Sequence, residues 1–301
     1  MIKKVKIAGV LVFVALGIYV WLLYPFSLME ARPAIGEKKI AVSGNRAVIY
    51  YVRGEGPRIL LAASLGREAS DYNELTAELN SAGYRTISIE APGIGGTDML
   101  EKPTSLYEIA EDIKAVADQD ISDTGKKETV ALVGHAFGNR VMRAAASKYP
   151  DIARSVILLA AGGQRPVPPK AKKELKKAIM PYLTASRRTK AIDYAFFAQG
   201  NEVPDYWLRG WHIKTALLQA STLEQTKDNL WQDAGSLPLL IVQALEDEIA
   251  PKQDTADLLK KRFGDRLEVA LVENAGHALL PEHPKVISKA VLDFLNRHKV
   301  K

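Results

Sequence analysis

The chain of 301 residues contains no cysteine. This absence excludes disulfide bonds, thiolate metal ligands and a cysteine nucleophile. No paired histidines or acidic clusters have metal-ligand spacing, so the sequence predicts no metal site. The run Gly93-Ile94-Gly95-Gly96 is too short for a dinucleotide-binding G-x-G-x-x-G and no helix opens directly from it, so we expect no cofactor. The net charge of +6 is a mild excess that does not indicate a nucleic-acid partner.

Hydrophobic residues make up 47% of the chain, which suits one large domain with an insertion or two smaller domains. Apolar runs such as Ile59–Ala63 and Ser155–Ala161 predict buried strands, and the spacing in Ser70–Ala82 predicts a helix. Such elements alternate, with short connections, through residues 38–162 and again through 237–301. This alternation predicts an α/β core with a mostly parallel sheet and helices on both faces.

The alternation stops between residues 163 and 236, where helical stretches and aromatic residues occur without a clear strand. We predict that this segment is a helical lid over the carboxyl edge of the sheet. Trp207 and Trp211 share one face if Asp205–Leu217 is helical, so both are candidates to line a pocket for a small apolar substrate.

A basic run lies in the same segment: Lys170, Lys172, Lys173, Lys176, Lys177, Arg187, Arg188 and Lys190. A solvated helix face is the favoured interpretation of this run. The alternative is that these residues contact anionic lipid headgroups.

The N-terminal region carries eighteen consecutive uncharged residues, 7–24, which as a helix would be roughly 27 Å long. Lysines precede this run, so the positive-inside rule predicts a single-pass membrane protein with residues 1–6 in the cytoplasm. Residues 25–37 would form a linker and the globular part would lie outside the cytoplasm. The alternative is a cleaved signal peptide, but its apolar core would be shorter and residues 25–34 offer no clean cleavage site.

One stretch, Val130–Arg140, has the pattern of a nucleophile elbow. An apolar run ends at Gly134, and a predicted helix begins at Phe137 and continues to Tyr149. The pattern G-x-S-x-G places one side chain at a strained apex above the sheet. The apex residue here is Ala136, which has no oxygen to act as a nucleophile.

Two residues further along the chain suit the other catalytic positions. Asp247 follows the predicted strand Leu237–Leu245, at the functional edge of an open parallel sheet. A carboxylate at a helix N-terminus is the alternative interpretation of Asp247. His277 lies between the last strand and the last helix, and a histidine is the usual proton carrier near neutral pH.

An oxyanion hole needs two backbone N–H groups, for which we predict those of Phe137 and Leu65. Ser64 and His135 adjoin these positions and are candidate substrate contacts. Ser64 is also a candidate substitute nucleophile, and His135 has packing as its alternative role.

On these residues the chain resembles the α/β-hydrolase fold superfamily over roughly residues 38–300, because the elbow, Asp247 and His277 occur in the family's order. The segment Glu90–Asp98 looks like that family's loop after the fourth strand. The resemblance implies an eight-stranded sheet with a helical lid. The sequence departs from the family's pattern in having Ala63-Ser64 where His-Gly is common, and Ala136 where serine or aspartate is usual. The run G-H-A-F-G-N-R is similar to a bacterial subgroup with alanine at the apex.

Three hypotheses account for alanine at the apex. In the first, the His277–Asp247 dyad deprotonates water or an acidic substrate directly, which gives hydrolase-type chemistry on a small apolar ester-like compound. In the second, the protein is a serine hydrolase inactivated by Ser→Ala at position 136. In the third, it is a non-catalytic ligand-binding or signalling member of the fold. The first hypothesis is preferred because both dyad residues are present.

Overall fold

The computed structural model describes residues 12–18, 31–101, 104–162, 165–180, 183–227 and 229–298. Within these ranges, eight strands form a single sheet. The strands are β1 (Glu37–Ser43), β2 (Arg46–Arg53), β3 (Arg58–Ala62), β4 (Arg85–Ile89), β5 (Val130–His135), β6 (Ala153–Leu159), β7 (Leu239–Ala244) and β8 (Leu267–Val272). The helices are α1 (12–18), α2 (Asn73–Ser81), α3 (Leu106–Thr124), α4 (Phe137–Lys148), α5 (Pro169–Ile179), α6 (Ala185–Phe196), α7 (Ile213–Gln225), α8 (Ala256–Phe263) and α9 (Pro284–Arg297).

The strands run in the order β1-β2-β4-β3-β5-β6-β7-β8. Strand β2 pairs antiparallel with both β1 and β4, whereas the five remaining pairs among the described strands are parallel. The predicted eight-stranded, mostly parallel sheet is therefore confirmed. The carboxyl ends of β3, β5, β6, β7 and β8 meet at one edge, where a parallel sheet places its functional loops.

The central strands are buried on both faces, as their continuous apolar sequence predicts. In β3, Ile59 and Leu61 point to one side and pack in the cluster that contains residues of α2 and α9. Leu60 points to the other side, in the cluster with α3, α4 and α8. All three side chains are fully buried, and each such burial contributes about 2 kcal/mol.

The segment predicted to be a lid is helical in its described residues, with α5, α6 and α7 and no strand there. Asp205–Leu217 is not one continuous helix, because a short 3-10 helix ends at Leu208 and α7 begins only at Ile213, so the condition for Trp207 and Trp211 to share one helix face is not met. Gly210, between them, has a φ of +68° that a helix does not allow. The function of this segment as a lid stays a prediction.

Most residues of the basic run are exposed, and several of them border an open groove of about 1050 Å³. Arg188 differs, because it is buried and its Nε donates a hydrogen bond to the Ala178 carbonyl, 3.2 Å away. The interpretation as a solvated helix face therefore fits most of the run. Contact with anionic lipid stays a prediction.

The predicted single-pass membrane localisation is wrong. No helix in the described ranges is long and apolar enough to cross a bilayer. Of the predicted span 7–24, only α1 is described, and its seven residues extend about 10 Å along a helix axis. The rest of that span, residues 1–6 and residues 25–30 of the predicted linker lie outside the described residues.

Two glycines let α4 approach the sheet closely. A Cβ atom on Gly138 would lie 2.1 Å from the Ala62 carbonyl oxygen and 2.6 Å from that of Ala63. A Cβ atom on Gly134 would lie 2.3 Å from the backbone nitrogen of Asn139. These obstacles are backbone atoms of the sheet and the helix, so they cannot move aside as a flexible side chain would. The elbow pattern therefore requires both glycines for steric reasons.

We expect Gly138→Ala to lower the free energy of unfolding by about 3 kcal/mol, because α4 must shift away from β3. Gly162→Ala is the matched control, since the nearest atom to its added Cβ is 3.9 Å away. That control should change stability by less than about 1 kcal/mol. Urea denaturation of the two variants and the parent measures both effects, and equal stabilities would contradict the steric explanation.

Candidate active site

The residue at the apex of the elbow has a strained backbone. Ala136 has φ of 46° and ψ of −106°, a conformation that residues with a Cβ rarely adopt. Its N–H donates to the Leu159 carbonyl at 2.9 Å, and its carbonyl accepts a hydrogen bond from the side-chain amide of Asn139. These contacts hold the turn in place, and the alanine side chain faces a cavity. The geometry of a nucleophile elbow is thus present without the nucleophile.

His277 and Asp247 lie together at the carboxyl edge of the sheet. The Nδ1 of His277 lies 2.8 Å and 3.0 Å from the two carboxylate oxygens of Asp247. One of those oxygens also accepts hydrogen bonds from the backbone N–H groups of Ile249 and Ala250, at 2.9 Å and 2.7 Å. Both side chains are buried. This carboxylate therefore holds the imidazole with Nδ1 protonated, which directs the basic Nε2 away from Asp247.

The Nε2 of His277 makes no hydrogen bond to a described residue, and the His277 side chain lines the cavity beside Ala136. The cavity has a volume of about 200 Å³. The Phe196 ring packs 5.8 Å from the imidazole ring, measured between centroids. This arrangement leaves the imidazole of His277 with one nitrogen that has no described partner, on the wall of a mainly apolar cavity.

Leu65 and Phe137, the two predicted oxyanion-hole residues, border the same cavity. Phe137 is the first residue of α4, so its N–H has no partner within the helix. The Leu65 N–H donates to no other group in the described part of the chain. The structure thus places two residues from distant parts of the sequence on the wall of one cavity. Their role in binding an oxyanion stays a proposal.

Buried polar contacts hold the loop that carries Leu65. Gly66 N–H donates to the side-chain oxygen of Gln219 in α7 at 2.7 Å. The Arg67 guanidinium makes two hydrogen bonds to the Asp71 carboxylate, at 2.6 Å and 2.8 Å, and a third to the Arg209 carbonyl at 2.7 Å. Charge-assisted, bidentate contacts of this kind are among the stronger hydrogen bonds in proteins. They attach the loop to α7 and to the segment before it.

The cavity wall includes two of the four predicted substrate contacts, Ser64 and Trp211. Apolar side chains form most of the remaining wall: Val167, Leu175, Phe196, Leu223 and Ile249. Asp254 and Arg140 are among the charged side chains on it. Within the described residues, no group of three or more histidine, aspartate or glutamate side chains is arranged to hold a metal ion.

Trp207 and His135, the other two predicted contacts, do not lie on the cavity wall. Trp207 is buried in an aromatic cluster, where its ring lies 5.4 Å from Phe196 and 5.1 Å from Phe197. Residues 209–212 are not helical, so Trp207 and Trp211 do not share one helix face.

His135 is buried beneath the site, and its Nε2 lies 2.8 Å from the backbone carbonyl of His277. A carbonyl accepts only, so Nε2 carries the proton and donates it. Burial, and then the nearby His277, lower the pKa of His135 to about 4. His135 is therefore neutral near pH 7 and supports the loop that carries His277, instead of contacting the ligand.

Sequence reasoning assigned no role to Asn139 and Arg140, which follow the apex in the first turns of α4. Asn139 donates to the Ala136 carbonyl and so supports the strained turn. Arg140 borders the cavity. Their position directly after the elbow glycine was the available signal, but the sequence does not tell which helical residues face the cavity.

The fold and the arrangement of the elbow, Asp247 and His277 define an α/β-hydrolase-fold protein. The family model described as "Serine aminopeptidase, S33" matches residues 57–284, and the chain belongs to this family.

Individual relatives are distant. Protein ABHD8 of Mus musculus is 21% identical over 260 residues, which cover 82% of this chain and 55% of that protein. The chain thus spans about half the length of the curated relative it matches. A 2-(acetamidomethylene)succinate hydrolase of Mesorhizobium japonicum is 29% identical over 107 residues, 36% of each chain. The structure of a thermophilic esterase from Thermogutta terrifontis superposes with a TM-score of 0.68 at 17% identity, covering 88% of this chain and all of the esterase, which shows the shared fold.

We expect the lowered pKa of His135 to make stability depend on pH. The unfolded chain binds this proton at about pH 6.5 and the folded chain only at about pH 4, so acid favours unfolding across that interval. The contribution of His135 to the free energy of unfolding is absent above about pH 6.5, and it destabilises the folded state increasingly as the pH falls. Between pH 7 and 4.5 it amounts to roughly 2 kcal/mol. His135→Gln should lose this part of the dependence, and urea denaturation at both pH values measures it. Identical losses in the parent and the variant would contradict the assignment.

Proposed function

We propose that the protein is a hydrolase in which His277, oriented by Asp247, activates water for attack on a small ester-like substrate with an apolar part. The observation that carries this proposal is the hydrogen-bonded His277–Asp247 pair, whose open Nε2 lies beside an elbow that lacks an oxygen. The family match and the hydrolase-fold relatives support hydrolytic chemistry in general.

The chemistry follows from this arrangement. Nε2 of His277 takes a proton from water as the water oxygen forms a bond to the ester carbonyl carbon. The negative carbonyl oxygen that results accepts hydrogen bonds from the N–H groups of Leu65 and Phe137. The intermediate then loses the alcohol by cleavage of the C–O bond, and His277 returns the proton to the departing oxygen. The products are an acid and an alcohol.

Two features favour this function over ligand binding alone. A buried carboxylate is costly unless it is fully hydrogen-bonded, and Asp247 is held by the imidazole and two backbone donors. A binding protein has little need of such a pair, whereas a general base needs it to fix the imidazole. Ala136 supports the use of water, because its short side chain leaves the position above the apex open to the cavity.

We expect His277→Gln to reduce hydrolysis of 4-nitrophenyl butyrate by about 10²- to 10⁴-fold, because the variant loses its general base. His298→Gln is the matched control, since His298 also pairs with a carboxylate, that of Glu268 at 3.1 Å, but does not line the cavity. It should hydrolyse the ester at the parent rate. Steady-state kinetics measures the rate of ester hydrolysis by the parent and the two variants, and equal rates in all three would exclude His277 as the base.

We further expect Ala136→Ser to raise kcat/KM for the same ester by about 100-fold or more, because a serine oxygen at the apex would complete a Ser–His–Asp triad. The double variant Ala136→Ser, His277→Gln should return to the rate of His277→Gln alone. A covalent acyl-enzyme detected by mass spectrometry only in Ala136→Ser would show that the elbow presents the new oxygen correctly. If neither a gain in rate nor an adduct is seen, the hypothesis of a serine hydrolase that has lost its nucleophile is excluded.

Alanine at the apex also favours a second candidate, a ligand-binding member of the fold. In that case the parent protein would show no turnover of esters, and His277→Gln would bind ligand as well as the parent. Binding measured by calorimetry beside the kinetic assay separates the two functions.

A further inference from the structure

Arg140 places a positive charge on the cavity wall near the dyad. It lies one helical turn after the apex, on α4, and is half-buried. It borders the same cavity as Ala136, Phe137 and His277. The guanidinium makes neither a hydrogen bond nor an ion pair with any described residue.

Unpaired arginine side chains are uncommon inside proteins, because a desolvated charge without a partner is unfavourable. Burial alone lowers the pKa of Arg140 to about 10, and no neighbouring carboxylate opposes this effect. Asp254 borders the cavity but makes no ion pair with Arg140. The charge of Arg140 is therefore not neutralised within the described part of the protein.

The next arginine along the helix has a different environment. Arg143 is buried, donates from Nε and Nη2 to the Gln232 carbonyl, and lies 4.9 Å from the ring centroid of Trp231. Its role is structural. Arg140 has no such contacts, and the cavity is the environment it faces. The difference indicates that the partner of Arg140 is a ligand.

We propose that Arg140 binds a carboxylate group of the substrate, which is then a small amphipathic acid such as the monoester of a dicarboxylic acid. The ester group of this substrate rests on the proposed function, whereas its carboxylate group rests on the environment of Arg140. A carboxylate carries a single charge and fits the flat guanidinium with two parallel hydrogen bonds. A doubly charged phosphate suits the wall less well, because Asp254 also borders the cavity. The apolar side chains of Leu223, Phe196 and Trp211 then surround the carbon chain of the ligand.

Binding tests the assignment without requiring turnover. Isothermal titration calorimetry of the parent should show hexanoate binding about 10- to 100-fold more tightly than the uncharged hexanamide, as expected for a hydrogen-bonded charge pair. Arg140→Gln should bind the two ligands with similar affinity, and Arg140→Lys should keep part of the preference. Unchanged binding of hexanamide by Arg140→Gln shows that the variant cavity is intact.

Arg165 provides the matched control, because it is also an arginine on the cavity wall but is exposed. Arg165→Gln should keep the preference for hexanoate. The assignment is overturned if the parent binds hexanoate and hexanamide equally, or if Arg165→Gln removes the preference while Arg140→Gln does not. Tighter binding of hexyl phosphate than of hexanoate would overturn the carboxylate as the anion.

Kinetics separates this inference from the proposed function. The parent should hydrolyse the mono-4-nitrophenyl ester of succinate with a kcat/KM at least about 10-fold above that for 4-nitrophenyl butyrate, and Arg140→Gln should abolish the difference. Equal hydrolysis of the two esters would overturn the role of Arg140 and leave the hydrolase function standing. No hydrolysis of either ester, with the preference for hexanoate retained, would overturn the hydrolase function and leave the carboxylate site standing.

Discussion

The close approach of α4 to the end of β3 is the constraint on which the site depends. Gly138 permits a separation that even one methyl group would prevent. This contact places the first N–H of α4 near the loop that carries Leu65. It also forces the chain through the sharp turn at Ala136, whose backbone strain costs about 1–3 kcal/mol. The packing of strands and helix around the turn maintains that strain.

The polar and charged groups at the site differ in whether they have hydrogen-bonding partners within the described part of the protein. Asp247 accepts hydrogen bonds from His277 and from two backbone N–H groups. Its carboxylate therefore has partners within the protein and holds the imidazole in place. Arg67 is likewise satisfied by Asp71 and supports the loop of the proposed oxyanion hole. Arg140 and the Nε2 of His277 make no such contacts with described residues. Both border the cavity, so both are available to a ligand.

Sequence patterns predicted elements well where packing follows local periodicity. The apolar runs identified the buried strands to within a few residues: Ile59–Ala63 corresponds to β3, Arg58–Ala62, and Ser155–Ala161 to β6, Ala153–Leu159. The predictions failed where a local pattern has more than one structural outcome. Trp207 and Trp211 have helical spacing, but a turn at Gly210 separates them and directs only Trp211 to the cavity. The uncharged run at 7–24 suggested a membrane span, yet no described helix is long and apolar enough to be one.

The sequence by itself determined the class of fold, the elbow with its two glycines, and the order of Ala136, Asp247 and His277. These features depend on residue type and spacing along the chain, which the sequence states directly. Only the tertiary structure decided that His135 supports the His277 loop, that Leu65 and Phe137 border one cavity, and that Arg140 borders it without a partner among the described residues. The reason is physical: whether a polar group is buried, paired or open to a ligand depends on neighbours that are distant in sequence and that only packing brings together.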